Sequence, residues 1–113
     1  MDKPTDACRE RFAEVAEELR TRHSGLATGP VFGLPALKIG KRPFACVTGE
    51  DMVFKLGGEA NERALALPGA KPFEPMAGRP MKGWVQVPPE QFPEWDDLAE
   101  QAYASLAAEL GLD

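Results

Sequence analysis

The chain has few of the side chains that usually carry covalent or metal chemistry. It contains one histidine, His23, two serines, Ser24 and Ser105, and two cysteines, Cys8 and Cys46. A lone histidine gives neither serine a base by any recognisable spacing, so a hydrolytic triad is not indicated. The cysteines form no C-x-x-C pair and have no histidine close by, which removes zinc-ligand spacing and leaves two buried free thiols as their reading. Apolar runs are short as well. None approaches the roughly 20 residues that a membrane helix requires, and the charged, amphipathic opening stretch lacks a signal-peptide core. The expectation is a cytoplasmic chain with no membrane contact, no metal and no cofactor.

Glycine is plentiful, but not in phosphate-binding order. Gly29-Pro30-Val31-Phe32-Gly33 lacks the lysine and hydroxyl of a P-loop, and Gly57-Gly58 lacks the dinucleotide fingerprint. Both read as turns. Two carboxylate pairs, Glu50-Asp51 at a hairpin tip and Asp96-Asp97 at a helix start, lack the burial that would tune either as an acid or base.

What is present is an ordinary globular composition: 113 residues, 43% hydrophobic and 27% charged, enough for one core and too short for two. The net charge of −5 is unevenly distributed, because residues 90–113 hold seven acids and no base while residues 29–58 hold four bases against two acids. Such a split allows a one-sided electrostatic field.

The segment Val31 to Leu56 reads as a strand meander with turns at Gly40-Lys41-Arg42-Pro43 and Thr48-Gly49-Glu50-Asp51. Leu37 and Ile39 share one face, Met52, Phe54 and Leu56 form a second alternating set, and Lys38 and Lys55 are out of phase with them. That phase predicts one greasy face and one lysine-bearing face. Strands are expected at Ala27 to Phe32, Ala36 to Ile39, Phe44 to Thr48, Met52 to Leu56 and Trp84 to Val87.

A helix from Thr5 to about Arg22 follows from Cys8, Phe12, Val15, Ala16 and Leu19, with Thr5 or Asp6 as cap and His23 near its end as a dipole partner. A second, short helix covers Glu59 to Leu67. The third, about Glu94 to Leu110, carries Trp95, Leu98, Ala99, Ala102, Leu106 and Leu110 on one stripe. Lys71 to Gly83, rich in proline, glycine and lysine, reads as a long ordered loop anchored by Phe73, Met76 and Met81. The fold class is therefore α+β: a two-layer domain with an antiparallel sheet of about five strands, N- and C-terminal helices and a short middle helix.

Lys38, Lys41, Arg42, Lys55, Arg79 and Lys82, with Trp84 beside the last, are the candidate partner or nucleic-acid surface. A positive sheet face rimmed by loop cations and an aromatic ring suits a phosphate backbone; the same residues also suit a plain solvated face, with Trp84 in the core.

Several short stretches together resemble a known family: Val31-Phe32-Gly33, Gly40-Lys41-Arg42-Pro43-Phe44-Ala45, Val53-Phe54-Lys55-Leu56, Pro72-Phe73 and Trp84-Val85-Gln86-Val87-Pro88. In that order and spacing they are similar to the N-terminal domain of the TfoX/Sxy proteins, bacterial regulators associated with natural competence. The resemblance covers nearly the whole chain, from the first helix through the last, and implies a single domain over residues 1–113 with a two-layer α+β fold, in a bacterial cytoplasm and without known catalytic residues. The family's full-length regulators carry a second, helical domain that this sequence does not include. Met81-Lys82-Gly83-Trp84-Val85 also resembles the MmcQ/YjbR-like proteins, α+β domains with a proposed DNA-binding role.

The leading expectation is a non-enzymatic binding or regulatory module working through protein contacts, with transcriptional regulation as the role that the resemblance implies. The alternative is direct DNA binding through the basic set. An enzyme or small-ligand carrier using a pocket between the sheet and the Lys71 to Gly83 loop comes after these. Edge strands in so small a sheet leave a homodimer open.

Overall fold

Thr5 starts the first helix: its hydroxyl accepts a hydrogen bond from the Cys8 backbone N–H at 3.2 Å, satisfying one donor of the first turn. Helix α1 then runs Asp6–Arg20 and buries Cys8, Val15, Ala16 and Leu19, the stripe set by their spacing. The computed structural model describes residues 2–76 and 78–112.

Four strands follow as consecutive hairpins, β1 Leu26–Val31, β2 Leu34–Ile39, β3 Arg42–Thr48 and β4 Asp51–Lys55. Helix α2 covers Gly58–Leu65, β5 is the two-residue Lys71–Pro72, β6 is Trp84–Val87, and α3 spans Phe92–Glu109 after a 3-10 turn at Pro89–Gln91. The strands form one antiparallel sheet ordered β1-β2-β3-β4-β6-β5. The α+β class and the placing of the three helices are as expected. The sixth strand, β5, is too short to leave a periodic signal.

All three helices lie against one face of the sheet. Their buried residues, among them Leu19, Ala64, Trp95, Ala99 and Leu106, pack with Leu37, Phe44, Val47, Met52, Phe54, Val85 and Val87 in one core. A bulge beside Leu37 and Lys38 leaves Phe44 without a partner on β2, so Phe44 and Ala45 both face the helices although adjacent in sequence. Trp95 is the largest fully buried side chain, with its indole N–H donating to the Pro88 carbonyl at 3.3 Å and its ring edge-on to Phe92 at 4.6 Å between centroids.

The opposite face departs from the expected lysine-bearing surface. Leu34, Ala36, Cys46, Val53 and Trp84, drawn from β2, β3, β4 and β6, form a second, smaller core capped by Phe73 and Met81, where the chain length leads to the expectation of one core only. Strands β3 and β4 are buried in unbroken runs, Phe44 to Thr48 and Met52 to Phe54. A strand covered on both sides reads as continuous hydrophobicity, so alternation assigns it only one of its two apolar faces.

The acid-rich third helix is partly neutralised by cations from elsewhere. Arg11, largely buried, donates to Asp96 at 3.0 Å and to the Phe92 carbonyl at 2.9 Å; Arg22 meets Glu100 at 2.9 Å. Helix α1 ends at Arg20, so His23 falls beyond it instead of acting as a dipole partner: its Nε2 lies 2.7 Å from Glu100, and its ring stacks on Tyr103 at 3.9 Å. Glu109, in the last turn of α3, accepts from Lys55 at 3.1 Å with Arg42 at 4.0 Å. The one-sided field inferred from residue counts is correspondingly weaker.

Candidate docking site

The turn between β1 and β2 has only two residues, Phe32 and Gly33, both with positive φ, at 53° and 74°. A two-residue hairpin of this hand follows the twist of its strands, but the first position favours Asn, Asp or Gly. Phe32 is the one non-glycine residue with positive φ among those described. A bulky residue held there costs about 1 kcal/mol of backbone strain. The side chain nevertheless remains 46% exposed.

The ring of Phe32 is directed toward the long loop after β5. Its centroid is 6.3 Å from that of Phe73, which in turn lies 6.4 Å from Trp84. Phe73 is the loop's anchor: its N–H donates to the Trp84 carbonyl at 3.0 Å, and its own carbonyl accepts from Met81 at 2.8 Å. Beyond it the chain folds back on itself, with the Arg79 N–H on the Met76 carbonyl at 2.9 Å. Because β6 and β1 lie three strands apart, the loop reaches across the sheet from Trp84 to the Phe32 turn.

An open groove of about 600 Å³ results, lined by Phe32, Pro75, Met76, Arg79, Pro80 and Met81. Its walls are nearly all apolar, and Met76 is 64% exposed, the most solvent-facing of the large hydrophobic side chains among the described residues. Exposed apolar surface gathered in a concavity marks a contact site more often than a scattered exposed residue does. Arg79 stands at this groove with no hydrogen bond or ion pair to its side chain among the described residues.

No family model, curated protein or solved structure matches the chain.

The basic residues singled out from the sequence separate into two groups. Cross-strand pairing of Lys38 with Pro43, Ile39 with Arg42 and Lys55 with Trp84 brings Lys38, Lys41, Arg42, Lys55 and Lys82 to one end of the sheet. There Arg42 and Lys55 converge on Glu109, and Lys38 lies back over Gly29, its Nζ 3.5 Å from where a side-chain carbon would stand. Arg79 is apart from them, in the groove. Trp84 is only 6% exposed and belongs to the second core, so its ring is no stacking platform in this conformation.

The groove's other residues were partly visible in the sequence. Phe73, Met76 and Met81 stood out as loop anchors and Phe32 only within the Val31-Phe32-Gly33 motif and as the end of an expected strand, whereas it sits in the turn after Val31; Pro75 and Pro80 did not stand out. A bulky aromatic followed by glycine between two strands is the signal that could have marked Phe32, since nothing local favours it there.

One carboxylate of each pair noted in the sequence is held by a glutamine side chain. Asp51 accepts from Gln86 Nε2 at 2.6 Å, and Asp97 from Gln101 at 2.6 Å. Among the described residues no three His, Cys, Asp or Glu side chains gather as a ligand group, and no helix is long and apolar enough to cross a membrane. Burial, assisted by the nearby Asp51 and Glu50 charges, pushes the Cys8 thiol from its ordinary 9.0 up to about 11. Burial alone pushes Cys46 to about 12.

Both thiols are therefore protonated near neutral pH, and alkylation of the folded protein at pH 8 is expected to run at least about 100-fold slower than for an exposed cysteine. Iodoacetamide labelling followed by intact-mass spectrometry should find neither thiol modified until denaturant is added. The folded values lie above the unfolded one, so this contribution to stability is complete below about pH 9 and is lost as pH rises through about 11 and 12. Rapid labelling without denaturant would contradict the burial of both groups.

Proposed function

We propose that this domain is a non-catalytic binding module that acts through protein contacts, and that the groove between the Phe32 turn and the Pro75 to Met81 loop is its contact surface. The observation that carries the reading is Phe32: a half-exposed aromatic ring held in a strained backbone conformation where asparagine or glycine would sit at ease. About half of the ring is left in water by a turn that Asn or Gly would form at ease, so a contact with a partner is the contribution that the exposed half can add. The resemblance of the glycine and aromatic pattern to TfoX/Sxy N-terminal domains is what supports a regulatory role for that contact.

Phe32→Asn separates the contact from the fold. It relieves the turn while losing the Phe32–Phe73 contact, so its unfolding free energy is expected within about 1 kcal/mol of the parent. A photo-crosslinking residue placed at Met76 in cells should give a discrete protein adduct that Phe32→Asn abolishes. An adduct that survives Phe32→Asn would remove the groove from consideration.

A second reading, direct DNA binding, draws on the five cations that the strand register brings to one end of the sheet. It is weakened by the engagement of Arg42 and Lys55 with Glu109. Fluorescence anisotropy of a labelled mixed-sequence duplex, at low and near-physiological salt, decides it. Phosphate contacts release counterions, so true binding is strongest at low salt and falls steeply as salt rises. Salt-sensitive binding lost in a Lys38→Glu, Lys55→Glu variant would put DNA first; no binding at low salt would leave the protein partner.

A further inference from the structure

We infer that the groove takes a short peptide segment in which a bulky apolar side chain stands next to one or more carboxylates. The inference rests on the reading of the groove as a docking surface and adds the chemistry of what docks there.

The apolar half follows from the lining. Phe32, Met76 and Met81 give a surface that can adjust to an aliphatic or aromatic side chain, because the thioethers are unbranched and polarisable. Pro75 and Pro80 restrict the backbone on either side of Met76 and Arg79, so less ordering is left to be done on binding. The groove is open to solvent and does not form an enclosed cavity. A free small molecule would leave much of its surface in water there, whereas a peptide has only one side chain to bury and can continue out at both ends.

The acidic half follows from Arg79. Its backbone is fixed by the bond to the Met76 carbonyl, its side chain lines the groove, and no acid of the described residues pairs with it. A planar guanidinium beside an apolar wall is matched by a carboxylate, which can accept two parallel hydrogen bonds. Glu74, exposed before Pro75, is the one acid between Lys71 and Gly83 and does not line the groove.

The chain's net charge of −5 does not oppose this approach strongly. Its excess acids belong to α3, and the buried residues of that helix pack on the sheet face opposite Phe73 and Met81. With a Debye length of about 8 Å at physiological salt, charges across the sheet are largely screened from the groove. Residues 29–89 carry eight bases against five acids, so the half of the sequence that builds the groove is locally positive.

The test uses fluorescein-labelled peptides with one leucine or phenylalanine anchor flanked by aspartates, by lysines or by serines, titrated with the full-length protein and followed by anisotropy. The aspartate-flanked peptides are expected to bind best. Arg79→Glu should weaken them about tenfold or more and shift the preference to the lysine-flanked set, while Phe32→Asn should remove binding of all sets. If lysine- or serine-flanked peptides bind the parent as well as the acidic ones do, and Arg79→Glu changes nothing while Phe32→Asn still abolishes binding, the acidic partner is overturned and the groove reading stands. If no peptide binds, or binding ignores Phe32→Asn, both are overturned. Arg79 is exposed, so the charge-reversed variant is expected to fold, and circular dichroism checks that directly.

Discussion

Trp95→Ala is expected to lower the unfolding free energy by about 3–5 kcal/mol, the range for removing a large aromatic side chain from a core. The indole is completely buried, packs edge-on against Phe92 and donates to the Pro88 carbonyl. Alanine leaves a cavity between α3 and the sheet and strips that carbonyl of its donor, so transfer, cavity and hydrogen-bond losses act in the same direction. In a domain whose total stability is about 5–15 kcal/mol, such a loss takes a large part of the whole. Urea denaturation followed by circular dichroism measures it. A midpoint change equivalent to less than about 1 kcal/mol would mean that α3 is not held by this residue.

Phe73→Ala is expected to have a different character. The cost is about 3 kcal/mol, at the low end for an aromatic deletion, because the loop can settle toward the sheet and fill part of the space. Its main effect is local. Phe73 is the contact between Trp84 in the second core and Phe32 at the turn, so without it the loop loses its anchor and the groove residue Phe32 the ring it packs on. The chain has two tryptophans, Trp84 and Trp95. In the parent both are shielded; in Phe73→Ala acrylamide should quench Trp84 while Trp95 stays protected under α3. The same variant should lose whatever the groove binds while keeping the helices. If Trp84 stays shielded and the groove keeps its ligand, Phe73 does not hold the loop down.

These two substitutions separate the molecule into a core that sets the fold and a smaller one that shapes a surface. They also separate what residue spacing could reveal from what it could not. The helical stripes, the Thr5 cap, the hairpin turns at Gly40 and Gly49 and the strand Trp84–Val87 were legible, because each depends on neighbours a few positions apart; the exception is Leu110, which is 37% exposed just past the end of α3. Burial of both cysteines and of Trp84 followed from their apolar surroundings in the sequence.

What the sequence determined by itself is the α+β architecture, since periodicity, caps and turn residues are local and agree with one another. Only the tertiary structure decided that the second sheet face is a covered core instead of a lysine surface. The loop that covers it closes over a long sequence separation and leaves no period to read. The groove has the same origin: Phe32 and Met76 are brought together because Phe73 and Trp84 pack beneath them, and no spacing within either segment encodes that meeting.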